Sequence, residues 1–350
     1  MNPVGWGITG FGWVARDFMA AAIADAGHRL VAVCDPRPAA RRDAERLGVR
    51  TYADVEDLAS DPEVEAVYVA TPNHLHRPMV EVLSKRGKAV LCEKPMAHCL
   101  ADAEAMVAAC RTGGVLYGTA FDQRHHPVHA AARRQIVDGS IGCVTAIRIV
   151  YACWLGPEWT TGTGENWRTD AARAGGGSVI DLAPHGIDLV DFLLGEPLVD
   201  LSALLQRRVH DYAVDDGGVL IGRSASGALA TLHVAYNCPE ALPRRRLEIV
   251  GTLGLLTAQN SMGQEPGGQM WITDGRTGRT SELTVDGIDG SPFTLEIDAF
   301  SSAFRGAPHG FDAERDLASM RLLSDALARA MPEMASPNAG QGLTGLSGVR

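Results

Sequence analysis

Over the first third of the chain, short apolar runs alternate with stretches of helical periodicity. Val4–Thr9, Arg29–Cys34, Ala66–Ala70, Ala89–Cys92 and Val115–Thr119 read as strands. Val14–Ala26, Ala39–Leu47, Pro78–Arg86 and Leu100–Arg111 read as helices. Such alternation predicts an α/β unit built on a parallel, doubly wound sheet. Near-continuous apolar strands such as AVYVA predict burial on both faces. After about residue 122 the rhythm changes. Helical character runs to Asp138. Strands then dominate: Val144–Tyr151, Leu198–Val209, Gly218–Gly222, Ala228–Tyr236, Arg246–Val250, Gly254–Ala258 and Met270–Thr273. Strands joined by glycine-rich turns predict an α+β unit with a large open, mainly antiparallel sheet. Phe293–Phe304 and Ala313–Ala330 carry helical spacing, and the remainder has no period. The pattern divides the chain into 1–122, 123–335 and a loose tail over 336–350.

Composition narrows the partners. A formal net charge of -10 disfavours nucleic acid or an anionic membrane as the main partner. No apolar run is long enough to span a bilayer, and only Met1-Asn2-Pro3 precedes the first strand, so a cytoplasmic protein is expected. The seven cysteines are scattered without a CxxC pair, which predicts reduced thiols and no metal site.

The first strand runs into Gly10-Phe11-Gly12-Trp13-Val14-Ala15, a GxGxxA fingerprint. Its first glycine allows a tight turn, its second lets backbone approach a pyrophosphate, and the small third position lets the helix pack on the strand. Asp35 ends the next strand, at the spacing of a carboxylate that holds the adenosine ribose. These signals predict a Rossmann dinucleotide-binding domain. Asp35 favours NAD, while neighbouring Arg37 and Arg41 would accommodate NADP. The third strand ends in ATPNHLH, which puts Thr71, Asn73 and His76 at the rim where ligands bind open α/β sheets.

Two stretches carry the candidate chemistry. In CEKPMA a strand delivers Glu93 and Lys94 to the same rim, and Pro95 fixes the turn. A lysine there can hydrogen-bond a reacting hydroxyl. In GGGSVIDLAPHGIDLVDFLLG, Ser178 is a candidate helix cap and Pro184 predicts that the regular helix begins at or just before it. Asp181 and His185 stand four apart, so both can point one way. A carboxylate beside an imidazole orients it as a general base. Alternatively, Asp181 caps the helix and His185 is a core residue.

With GFGWVA, strand-end Asp35, TPNHLH, EKP, NWR, GGGSVIDLAPHGID and RRLEIVGTLG in this order, the chain resembles the glucose–fructose oxidoreductase / inositol dehydrogenase / MocA (Gfo/Idh/MocA) family from roughly Val4 to Ala330. The resemblance implies a Rossmann domain followed by a domain whose open sheet makes a homodimer or homotetramer interface. It implies that Lys94, Asp181 and His185 are catalytic. It also implies that Thr71, Asn73, His76, Glu93, Gln123, Trp167 and Arg168 lie around the cofactor, and Lys94 with them, beside the Gly10, Phe11, Gly12, Trp13, Asp35 and Arg37 already read from the fingerprint end. Phe293 is the aromatic residue that would approach the nicotinamide side, without the tyrosine hydroxyl some members carry there.

The function expected is NAD(P)-dependent hydride transfer on a ring hydroxyl or ketone of a sugar, cyclitol or sugar derivative. His185 would take the hydroxyl proton, Lys94 would stabilise the alkoxide, and Asp181 would orient one of the two. Lys94 and His185 could exchange the proton-transfer role. Two alternatives use the same fold: transient oxidation by a tightly bound NAD during elimination or epimerisation, and a cofactor-sensing regulator without catalysis.

Overall fold

A computed structural model describes residues 2–156, 159, 166–211 and 213–334, with backbone alone over 331–334. The expected tail over 336–350 lies outside the described residues.

Six parallel strands form the first sheet: β1 (Gly5–Thr9), β2 (Arg29–Cys34), β3 (Arg50–Tyr52), β4 (Ala66–Val69), β5 (Ala89–Glu93) and β6 (Tyr117–Ala120). Their spatial order is β3-β2-β1-β4-β5-β6, the doubly wound order with its switch point between β1 and β4. β1 and β4 are buried along their whole length, as all-apolar strands between two helical layers must be. The sequence pattern does not reveal β3 or the helix Val55–Ser60, because both are short and polar.

Eight strands form the second sheet: β7 (Val144–Ala152), β8 (Leu198–Gln206), β9 (Gly217–Ser224), β10 (Leu229–Ala235), β11 (Arg245–Gly251), β12 (Gly254–Gln259), β13 (Gln269–Asp274) and β14 (Thr280–Leu283). Every pairing is antiparallel except β7 with β10. The helix Ser178–Leu194 covers one face, against β7 and β10. The other face is open: Leu204, Val219, Ile221 and Leu229 are 66%, 42%, 58% and 57% exposed, while Leu201, Leu220 and Ala230 on the same strands are buried.

The helix Pro292–Phe304 follows the second sheet in sequence but packs into the core of the first. Phe293, Ile297 and Phe300 join Trp6, Ile8 and Tyr68 there, and Trp6 donates its indole N–H to Ser301 Oγ at 3.1 Å. The last helix, Ala313–Met334, packs on β8 of the second sheet and on the helix Leu100–Gly113 and β6 of the first unit, and so bridges the two. All seven cysteines are free.

Two expectations for the helix after the glycine run are corrected. It is continuous from Ser178 to Leu194, with Pro184 inside it. The N-cap position is Gly177, not Ser178. Asp215, from the second sheet's side, does the capping: its carboxylate accepts from Gly177 N, Val179 N and Ser178 Oγ at 2.9, 2.8 and 2.8 Å. The glycine is required because a Cβ on Gly177 would stand 2.0 Å from Asp215 O. An outside carboxylate thus anchors the first turn, and the helix passes through the proline without starting at it.

Candidate active site

The carboxyl ends of β1, β2, β4 and β5 face the start of the helix Ser178–Leu194 across a cleft of about 490 Å³. Ligands in open α/β sheets bind at this rim.

At the cofactor end, Gly10 has φ +85°, and a Cβ there would meet Ala70 O at 2.7 Å. Only glycine makes this turn without strain. In front of Gly12 nothing lies within 4 Å of where a Cβ would be, so the turn leaves open space at the helix start. That void, at a helix N-terminus, fits a dinucleotide pyrophosphate. The helix opens with a π-helical stretch, Ala15–Met19, and continues as Ala20–Asp25.

Asp35 is 2% exposed and its carboxylate is saturated. It accepts from Phe11 N at 2.8 Å, Arg37 N at 2.9 Å, Arg37 Nε at 2.9 Å and Arg37 Nη2 at 2.8 Å. Burial pushes its pKa up, but the Arg37 hydrogen bonds outweigh burial and hold it below the ordinary value. Arg41 caps the same corner by donating to Asp35 O and Pro36 O at 2.7 and 2.9 Å.

At the chemical end, Lys94 Nζ lies 2.7 Å from Asp181 Oδ1 and 3.1 Å from Asp181 O. Asp181 Oδ2 accepts from Tyr236 Oη at 2.6 Å. Burial raises the Asp181 pKa, but the Lys94 and Arg168 charges more than reverse this, so the carboxyl stays well below its ordinary value. Glu93 behaves oppositely: burial raises its pKa, and it accepts from Tyr68 Oη and Lys94 N.

His185 is 4% exposed, and its Nδ1 lies 3.2 Å from Asp122 Oδ1. Neither atom has any other partner, and both are sealed from solvent. Of the two partners expected for Asp181, its carboxylate meets Lys94 and not His185. Although Asp181 and His185 are four apart on one helix, Lys94 and Tyr236 draw the Asp181 carboxylate away. The imidazole turns its Nδ1 to Asp122, at the carboxyl end of β6, which leaves Nε2 for the cleft. Gln123 holds that carboxylate by donating from Nε2 to Asp122 Oδ2 at 2.7 Å and to Gly263 O at 2.9 Å.

Gly10, Gly12, Trp13, Asp35, Arg37, Thr71, Asn73, Glu93, Lys94, Trp167, Arg168, Asp181, His185 and Phe293 all line the cleft. Phe11, His76 and Gln123 do not. Phe11 is 3% exposed and contributes its backbone N–H to Asp35. His76 is fully buried, with Nδ1 3.1 Å from Pro95 O and Nε2 3.0 Å from Thr71 O, and so ties the EKP turn to the end of β4. These three support the site from behind. Asn73 donates to Ala174 O at 2.8 Å, joining the rim to the second domain.

Asp122, Tyr151, Tyr236 and Arg245 also reach the cleft and were not singled out from the sequence. Asp122 had a legible signal, a carboxylate straight after the last strand of the first sheet. Tyr151 and Tyr236 lie on or just past strands of the second sheet with no motif around them, and Arg245 opens RRLEIVGTLG without any sign of which way its side chain turns. Outside the cleft, His98, Cys99 and Asp102 bring ligand atoms within 4.8 Å of one another, but Asp102 already accepts from Arg77 at 3.0 Å.

Residues 4–121 match the model of an oxidoreductase family with an NAD-binding Rossmann fold, and residues 129–257 match the C-terminal domain of the same family. The chain belongs to the Gfo/Idh/MocA oxidoreductase family. It is 33% identical over 309 residues to the 1,5-anhydro-D-fructose reductase of Ensifer adhaerens, covering 87% of this chain and 89% of that one. The myo-inositol 2-dehydrogenase of Thermotoga maritima is 28% identical, over 66% of this chain and 68% of its own. Among solved structures, the aldose–aldose oxidoreductase of Caulobacter crescentus superposes with a TM-score of 0.83 at 27% identity, covering 95% of this chain and 98% of that one. The Gfo/Idh/MocA assignment makes the chain an NAD(P)-dependent oxidoreductase. Among the described residues no helix is long and apolar enough to cross a membrane.

Proposed function

We propose that the enzyme interconverts a ring hydroxyl and a ketone on a sugar, cyclitol or sugar derivative. The observation that carries this is the pairing of Lys94 with Asp181 and of His185 with Asp122 in one cleft beside the dinucleotide turn. The relatives named as a reductase of an anhydro-sugar and a dehydrogenase of inositol support the substrate class. Trp154, Trp159 and Trp167 also line the cleft and offer flat apolar faces to the C–H face of such a ring.

The Gly10–Trp13 turn and Asp35 would hold the dinucleotide, and Phe293 would border its nicotinamide end. When bound, the nicotinamide supplies hydride acceptance or donation. During oxidation His185 Nε2 takes the hydroxyl proton, while Asp122 fixes the ring and offsets the charge it acquires. Lys94 Nζ, aimed by Asp181, donates a hydrogen bond to the oxygen as negative charge develops on it. Tyr236 in turn fixes Asp181. In this reading the carboxylates are positioning residues, and Lys94 and His185 touch the reacting group.

NAD is the preferred cofactor in this reading: Asp35 ends β2 at the ribose position, and it would accept from a ribose hydroxyl in exchange for the two hydrogen bonds it now takes from the Arg37 guanidinium. Arg37 neutralises that carboxylate and provides a cation where NADP carries its extra phosphate. The enzyme is taken to be cytoplasmic, in keeping with its free cysteines, and a homo-oligomer through the open face of the second sheet.

The test is absorbance at the NADH band with a panel of cyclitols, hexoses, amino sugars and glycosides, run with NAD and NADP in parallel. Net reduction with at least one member is expected. Catalysed conversion of a panel member without net NADH would point instead to transient cofactor use.

A further inference from the structure

The stretch Arg244-Arg245-Arg246 opens β11, and its three guanidiniums have different fates. Arg244 pairs with Glu240 at 3.4 Å, and Arg246 pairs with Glu248. Strand alternation turns Arg245 to the other face, into the cleft. There its Nε is sealed from solvent with no hydrogen-bond partner. Among the described residues no carboxylate lies within ion-pair distance of it. The protein carries 42 acidic against 32 basic side chains, so an unpaired buried-edge guanidinium is not for want of acids. Leaving such a cation half-desolvated is costly unless a ligand completes it.

Its place is fixed. Arg245 is the cross-strand partner of Tyr151 on β7, and the Tyr151 ring stands edge-on to His185 with centroids 5.3 Å apart. Gly263 lies against the guanidinium, where a Cβ would come within 2.4 Å of Arg245 Nη1. The cation is thus held on the second sheet, one residue across from the tyrosine that packs on the imidazole, and lines the same cleft as His185 and the Gly10–Trp13 turn. Nearby Arg168, stacked 4.5 Å from Trp167 and 5.1 Å from Trp159, also has no carboxylate at ion-pair distance among the described residues.

We infer that Arg245 is the receptor for an oxyanion carried by the substrate, so that the preferred substrate is an acidic sugar or cyclitol derivative bearing a carboxylate or phosphate. This rests on the reading of the cleft as a polyol oxidoreductase site and specifies what that site selects. A guanidinium fork matches either oxyanion in two parallel hydrogen bonds. One more buried charged contact of this kind corresponds to roughly 10- to 100-fold in affinity.

The test compares matched pairs: glucose with glucuronate and with glucose 6-phosphate, and galactose with galacturonate. Binding to the enzyme–NADH complex is measured by calorimetry, and kcat/KM is measured wherever turnover occurs. The acidic member should bind roughly tenfold or more tightly than its neutral partner. Arg245→Gln should erase that ratio, mainly through KM, while NADH affinity is unchanged. Arg245→Lys should retain part of it. The carboxylate and phosphate arms identify which oxyanion is read. Equal binding of acidic and neutral members, or a preference untouched by Arg245→Gln, overturns the inference. Arg245-dependent binding of an acidic sugar without turnover of any would leave the inference standing and count against the oxidoreductase reading instead.

Discussion

Lys94 Nζ and His185 Nδ1 each have a carboxylate at contact distance, and the carboxylates belong to different residues, Asp181 and Asp122. The two substitutions should therefore have separable effects. Asp122→Asn removes the carboxylate that fixes the ring, so kcat for oxidation should fall about tenfold or more through a misoriented imidazole, with the Lys94–Asp181 contact intact. Asp181→Asn should lower kcat through a misplaced Lys94, and the double substitution should cost more than either alone. A wild-type kcat in Asp122→Asn would return the imidazole to an unpartnered role. At the other end of the cleft, Asp35→Ser removes the acceptor and frees Arg37. NAD should lose kcat/KM and NADP should gain it. A wild type that already prefers NADP would show that Arg37, not Asp35, sets the choice. Sequence spacing led to Lys94, His185 and Asp35 because each sits in a motif at a strand end or a helix start. It missed the partner of His185, because four-residue helical spacing says which side chains can meet, not which competitor draws one of them away.

Between β4 and β5 the rim is held by a histidine rather than by an ion pair. Burial outweighs the carbonyls of Met96, Thr71 and Pro95 and brings the His76 pKa down to about 4 from 6.5. The unfolded chain therefore binds a proton at a pH where the folded one does not. The associated stability is fully present above about pH 6.5 and is lost as pH falls towards 4. The loss for this one group is on the order of 3 kcal/mol across that window. Urea midpoints at pH 7 and pH 4.5 should fall more steeply for wild type than for His76→Gln. An equal fall in both would show that His76 does not set the acid limit. Its place at the end of β4 suggests a ring facing the cofactor, and nothing in the sequence signals that the ring points inward instead. That depends on the EKP turn folding over it, a contact between segments 19 and 20 residues apart.

Across the whole molecule, periodicity made both sheets legible, since strand runs buried on two faces and strands buried on one differ in pattern. Short polar elements such as β3 and β14 left no such trace. Nor did the sequence show that the helix Pro292–Phe304 returns to the first sheet, because its apolar face fits either core. The open face of the second sheet has a direct consequence. Leu204, Val219, Ile221 and Leu229 expose an apolar patch on adjacent strands β8, β9 and β10, and such a patch marks a protein contact. Light scattering after gel filtration should give a dimer or tetramer for wild type and a folded monomer for Leu204→Glu/Ile221→Glu. A wild-type monomer at micromolar concentration would contradict the oligomer reading.

The central claim is that Lys94, aimed by Asp181 into a dinucleotide cleft, acts on the reacting oxygen. The most direct measurement is NADH formation under saturating cofactor and a turned-over substrate, for wild type and Lys94→Ala, with NADH affinity measured on both by fluorescence. The account predicts that Lys94→Ala binds NADH as wild type does and loses about 10²-fold or more in turnover. Near-normal turnover in Lys94→Ala would contradict it and reduce the Lys94–Asp181 contact to an ion pair at the end of a strand.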